Sequence, residues 1–169
     1  MTLNNSKSVI NLKIIRRTAI ILFLAFALLG YIAKVIKFPL LGINQTIWTV
    51  FVLALFTAIM LLPALLNFQY VYFSDEGENI IFRYYTAGIF EGKKNSIEIN
   101  KRTFSGFAME KRFFGFIQSV TLYQQLQQGV ATYPPVYISS LKRDEMAKII
   151  KSLNSFAPRI KVKTGQNMS

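Results

Sequence analysis

The sequence predicts a membrane α-helical hairpin of two transmembrane helices, followed by a small α+β domain: an antiparallel β-barrel or bent sheet capped by one C-terminal helix. Three observations predict it. The 169-residue chain holds two long apolar runs before Asn67, its apolar residues begin to alternate after Asn67, and a single amphipathic stretch near the C-terminus restores a helical period. Charge divides at the same place. Residues 1–67 carry Lys7, Lys13, Arg16, Arg17, Lys34 and Lys37 with no acid, whereas the other 14 of the 20 basic residues share their half with all 8 acids. Each half therefore nets +6 of the total +12.

Residues 1–17 form a basic segment ahead of the first apolar run, and KSVINLKIIRR within it suits either an interfacial helix or an extension of the helix that follows. The first run, Thr18 to Ile36, is apolar except for Lys34, whose long stem can carry its ammonium to the headgroups. The second, Ile47 to Leu66, holds no charge and at ~1.5 Å per residue matches the ~30 Å hydrocarbon core. Tyr31 and Trp48 flank the connecting loop as interfacial aromatics do, and Pro63 sits where it would kink the second helix. A cleaved signal peptide also begins with basic residues and an apolar run, but the KVIKFPLLG that follows lacks an A-x-A-like site. Residues 18–67 are thus expected to be two spans. The basic excess before them places the N-terminus in the cytoplasm, and two spans return the C-terminal domain to that side of the cytoplasmic (inner) membrane.

From Phe68 the pattern becomes strand, turn and strand: FQYVYFS, the acidic turn DEGEN, then IIFRYYTAG. KNSIEIN, RTFSGFAME, FIQSVTLYQQLQ, VATY and PVYIS continue it, giving six or seven short strands punctuated by glycines at turns. Ser140 is the expected N-cap of the closing helix, LKRDEMAKIIKSLNSF, whose stripe is Leu141, Met146, Ile149, Ile150, Leu153 and Phe156. The domain is thus residues 68–157, ended by Pro158, and residues 158–169 are a basic tail expected to be disordered.

The order YVYFSDEGENIIFRYY, then SIEIN, SVTLYQQ and YPPVYISSLKRDEMAKIIKSL resembles bacterial pleckstrin-homology-like (PH-like) domains of small membrane proteins with two N-terminal spans. The resemblance covers roughly Phe68 to Phe156. It implies a bent barrel of about seven strands capped by a helix, used as a binding or assembly module rather than as an enzyme. Phosphoinositide-binding members of the wider superfamily hold Lys and Arg in the loop between the first two strands. Here that loop carries Asp75, Glu76 and Glu78, so the resemblance does not extend to inositol-phosphate binding.

Catalytic chemistry has little to work with. No Cys and no His removes thiolates, the commonest metal ligand and the commonest general base, and no enzyme activity, cofactor or metal site is expected. Gly88 to Ser96, GIFEGKKNS, lacks the G-x-x-x-x-G-K-[ST] spacing and a following helix, so it is not a phosphate-cradling loop. Asp144 and Glu145 suit the first turn of a helix.

The richest cluster is KRTFSGFAMEKRFFGF, residues 101–116. Phe104, Phe107 and Phe116 suit a barrel core, but Lys111, Arg112, Phe113 and Phe114 cannot all turn inward because consecutive strand residues face opposite sides. These four, with Lys13, Arg16 and Arg17, are the expected contacts with the membrane and its anionic lipid. Lys93, Lys94, Lys101 and Arg102 are the expected further surface for a protein partner or anionic phospholipid. Nucleic acid is not expected, because half of the excess charge belongs to the membrane flanks. Two readings remain: a membrane-anchored interaction module, or a structural or accessory subunit of a larger membrane complex, toward which Ala54, Thr57 and Ala58 offer a small-residue stripe. An immunity-type protective role fits the size but no particular residue.

Overall fold

The N-terminus is part of the β-domain. In the computed structural model, which describes residues 1–87 and 92–157, Thr2–Asn4 form an edge strand, β1, antiparallel to β2 (Gln69–Ser74), with Leu3 opposite Phe73. Directly after it, α1 (Ser6–Ala27) begins, and it widens into a π-helical turn over Leu28–Ile32. α2 (Gln45–Leu65) returns, capped by Asn44, whose Oδ1 accepts from the Ile47 N–H at 3.0 Å. The helices pack side by side: Phe23 stacks on Phe56 with centroids 4.5 Å apart, and the Tyr31 and Thr49 hydroxyls are hydrogen-bonded.

Two transmembrane helices are not what these segments form, and this corrects the sequence-based expectation. Among the described residues only α2 is long and apolar enough to cross a membrane, and one such helix is weak evidence by length and composition alone. The first apolar run is not one helix. Its first ten residues complete a helix that starts at Ser6 with Lys7, Lys13, Arg16 and Arg17, the next five are π-turn, and by Lys34 the backbone is left-handed at φ +50°. Apolar helix from residue 18 to 32 reaches only about 22 Å, short of the ~30 Å core.

The alternating segments form strands, but not the expected six or seven strands of one barrel or bent sheet. The described residues make two antiparallel four-stranded sheets, because β1 at the N-terminus adds a strand and no ladder joins Asn95–Asn100 to Phe104–Arg112. The first runs β1, β2, β3 (Asn79–Thr86), β4 (Asn95–Asn100), and Gly77, at φ +69°, makes the turn between β2 and β3. The second is built on β6 (Ile117–Leu126), with β5 (Phe104–Arg112) on one edge and β7 (Gly129–Thr132) and β8 (Val136–Tyr137) along the other. Period-2 patterning turns Phe73, Ile80, Phe82, Ile99 and Leu122 into one fully buried core, which Ile149 and Leu153 of α3 (Arg143–Phe156) complete. The helix cap is not at Ser140. Lys142 occupies that position, with its N–H donating to Glu145 Oε2 at 2.9 Å, while Ser140 is buried in the domain. The sheet-plus-helix arrangement does not by itself establish a PH-like domain. The expected disordered tail and most of GIFEG lie outside the described residues.

Candidate functional site

One end of the domain carries the roots of both helices. Asn5, 2% exposed, organises it: its Nδ2 donates to the Gln69 carbonyl (2.9 Å) and to Ser140 Oγ (2.7 Å), and its Oδ1 accepts from Val71 N–H (2.8 Å). A buried amide with every polar atom paired fixes geometry more strictly than apolar packing does. Here it ties the start of α1 to the strand that leaves α2.

The turn between β5 and β6 lies at this same end. Gln118 Nε2 holds the Gly115 carbonyl at 2.9 Å, Gln118 N–H donates to Ser139 Oγ at 2.8 Å, and the adjacent Ser140 hydroxyl donates to the Gln69 carbonyl. This turn carries the exposed aromatic surface that the sequence pattern expected at Phe113 and Phe114. Phe113, Phe114 and Phe116 are 73%, 105% and 70% exposed, and Phe113 and Phe114 both adopt left-handed backbone, at φ +49° and +53°. Such a conformation costs a non-glycine residue about 1 kcal/mol or more. Water-exposed rings forgo roughly 1.5–3 kcal/mol apiece of burial. Lys111 and Arg112 flank the rings in the open, Arg112 with its Nη2 2.9 Å from Glu110 Oε2.

The expected core trio is split. Phe104 is buried and Phe107 half-buried against the core, but Phe116 is outside because its neighbour Ile117 takes the inward position.

The other expected contact residues separate by position. Arg17 is exposed on α1, as is Lys13, which makes an interaction of its own. Arg16 is withdrawn to 7% exposure, where its Nη1 donates to the Ala87 carbonyl at 3.3 Å and its Nε and Nη2 find no partner. It is thus held within the fold and not presented to headgroups. Following the Phe23–Phe56 and Tyr31–Thr49 pairs back along the helices brings Arg16 level with Pro63, also buried.

Lys101 is committed to the opposite end. Its Nζ donates to the Asp75 and Gly77 carbonyls at 2.6 and 2.8 Å and lies 4.5 Å from the Phe156 ring centre. Asp75 there accepts from the N-terminal ammonium and from the Ser152 hydroxyl. Burial works to raise its pKa, but these hydrogen bonds, the ammonium charge and Lys101 hold the carboxyl below its usual value. The Asp75 hydrogen bond, against a smaller desolvation effect, correspondingly raises the ammonium. Arg102 is exposed nearby, while Lys93 and Lys94 are exposed ahead of β4, near the helix roots.

Lys94 contributes to something the sequence pattern had only half disclosed, a shallow groove on the outer face of the first sheet. Ser6, Tyr70, Arg83, Tyr85, Lys94 and Ser96 line it. Register alone could have found it once the strands were paired: Tyr70 stands opposite Tyr85 and Arg83 opposite Ser96. A second concavity, apolar but for Thr57, runs along α2 past Val50, Ala54, Thr57, Ala58 and Leu61. Among the described residues no group of three His, Cys, Asp or Glu is placed to hold a metal. Comparison with protein families, with curated proteins and with solved structures finds no match for this chain.

Proposed function

We propose that this protein is a non-enzymatic, membrane-anchored interaction module. α2, alone among the described residues in being long and apolar enough to cross a membrane, anchors the chain in lipid, and the β-domain, PH-like in its order of elements, sits against the cytoplasmic leaflet with its β5–β6 turn in contact with anionic headgroups. The observation that carries the reading is the placement of three exposed phenylalanines, two in strained backbone, at the domain end from which both helices emerge. Lys111 and Arg112 suit that contact, since each basic residue near an anionic leaflet gains about 1 kcal/mol. The hairpin supports it too: Ile21, Leu22 and Leu24 on α1 and Phe51, Leu55 and Leu65 on α2 all stand at least half exposed, a surface that water does not favour. Because β1 pairs with β2, the N-terminus and the domain share one side, and the basic residues at the root of α1 favour the cytoplasm.

The test uses the full chain with Trp48→Phe and Phe114→Trp, reconstituted in vesicles containing brominated phosphatidylglycerol. Quenching of the new tryptophan is the expected result. Fluorescence indistinguishable from that in unbrominated vesicles overturns the contact. A second reading, an accessory subunit of a membrane complex, is favoured by the α2 concavity, where Ala54 and Ala58 leave room for another helix to approach. Purification in mild detergent with stoichiometric companions would decide for it.

A further inference from the structure

We infer that the groove on the outer face of the first sheet is a binding site for a phosphate-ester anion, with Arg83 and Lys94 as its two cationic arms. The lipid form of this ligand rests on the membrane reading above; the anion site itself does not.

The argument begins with register. β3 and β4 pair Arg83 with Ser96 and Tyr84 with Asn95, so Lys94, just ahead of β4, falls in line with Tyr85, which in turn pairs with Tyr70. Three strands thereby set out a row Tyr70, Tyr85, Lys94 beside a row Tyr72, Arg83, Ser96, all on the face turned away from the core. Arg83 and Lys94 are diagonal neighbours across strands, roughly 7–8 Å apart, close enough for both to reach one phosphate. Like charges at that spacing repel; among the described residues no carboxylate lines the groove, and Glu98, the diagonal neighbour on the other side of Arg83, accepts a hydrogen bond from Asn79 at 2.6 Å.

The surroundings are built for an oxyanion. The rings of Tyr70 and Tyr85 stack at 4.8 Å and form a stiff wall, and Arg83 is steadied with its Cζ 5.7 Å over the Tyr72 ring, which orients the guanidinium without consuming its donors. Arg supplies a planar fork and Lys a mobile point charge, a complementary pair for a tetrahedral group. Ser6 and Ser96 add hydroxyls on two sides. Ser6 is also the first residue of α1, so the groove opens at the helix root, at the depth where a headgroup would lie beside the hairpin. This position is far from the acidic turn after β2, the loop that disqualified inositol phosphates.

The full chain in a neutral detergent is offered equal amounts of phosphatidylglycerol and phosphatidylcholine, and retained lipid is counted by native mass spectrometry. Phosphatidylglycerol is expected to be retained by about tenfold over phosphatidylcholine, the effect of one good charged contact. The double variant Arg83→Gln with Lys94→Gln loses that preference, and Lys148→Gln with Lys151→Gln, an equal charge loss on α3, keeps it. Circular dichroism of both variants checks that the fold is intact. Inorganic phosphate is then added in excess. Displacement of the lipid identifies the bare anion as the ligand, and retention identifies the lipid headgroup; either supports the site. No preference in the unaltered chain, or equal loss in both double variants, overturns it. Sedimentation of the chain with membranes tests the membrane reading separately: chain that sediments but shows no groove-dependent retention sinks only the groove, and the reverse sinks only the membrane.

Discussion

The hairpin and the β-domain use the same apolar residue types in opposite ways. In the domain Phe73, Ile80, Phe82 and Leu122 are fully buried, while in the hairpin Ile21, Leu22 and Leu24 are 66%, 65% and 60% exposed although the rings of Phe23 and Phe56 stack between the helices. A side chain that is buried in protein stabilises the fold wherever the protein is. One that faces outward stabilises only in a solvent that accepts it. The difference teaches that the domain carries its own core, whereas the hairpin is finished by its surroundings, and it can be broken or sharpened by substitution.

The largest effect is expected from the domain core. Phe82→Ala should cost about 3–5 kcal/mol, whereas Leu22→Ala on the hairpin exterior should cost under about 1 kcal/mol, both read as denaturant midpoints of the detergent-solubilised chain. Equal losses at the two positions would erase the comparison. Next comes the joint between the regions: Asn5→Ala leaves Val71 N–H without its side-chain partner and should cost about 2 kcal/mol, with hydrogen exchange rising first at Gln69 to Val71.

A smaller effect, of opposite sign, is expected at the turn. Phe114→Gly relieves a left-handed residue and should stabilise the domain by about 1 kcal/mol while weakening vesicle contact. Loss of both stability and contact would show the ring to be structural. Smallest is the pH response of the far end. Asp75 titrates below its usual value when folded, so its contribution is present above about pH 4 and lost as pH falls through the lowered folded value. The ammonium titrates above its usual value, so its contribution is full below about pH 8 and lost as pH rises through the raised folded value. The unfolding temperature should therefore plateau between these limits, and Asp75→Asn should flatten both shoulders.

Much of this was legible in the sequence where a period repeats. Seven alternating segments and one amphipathic stripe correspond to β2 to β8 and α3, because burial on one face of a strand or helix writes itself into composition. Three residues, Thr2 to Asn4, are too few to show a period, so β1 stayed hidden. The span count failed for a different reason: an apolar run records which residues lipid would accept but not where the helix starts, and Ser6 and the π-turn at Leu28 are set by contacts. Parity of neighbours exposed Phe113 and Phe114, yet the same parity, counted back one residue from the inward Ile117, places Phe116 outside as well. The groove needed register, which no single strand carries. Arg16, a simple flank by composition, is buried by a tertiary contact to Ala87 that the sequence does not announce.

Asn5 bonds to Gln69 and Ser140, 64 and 135 residues downstream, and β1 has no partner until β2 has been made. On a ribosome, the first strand must therefore wait while the whole hairpin is synthesised. Contacts so distant in sequence close slowly, so α1 and α2 have time to pair before the sheet locks their roots in place. The order of assembly is thus written into one asparagine: hairpin first, edge strand last.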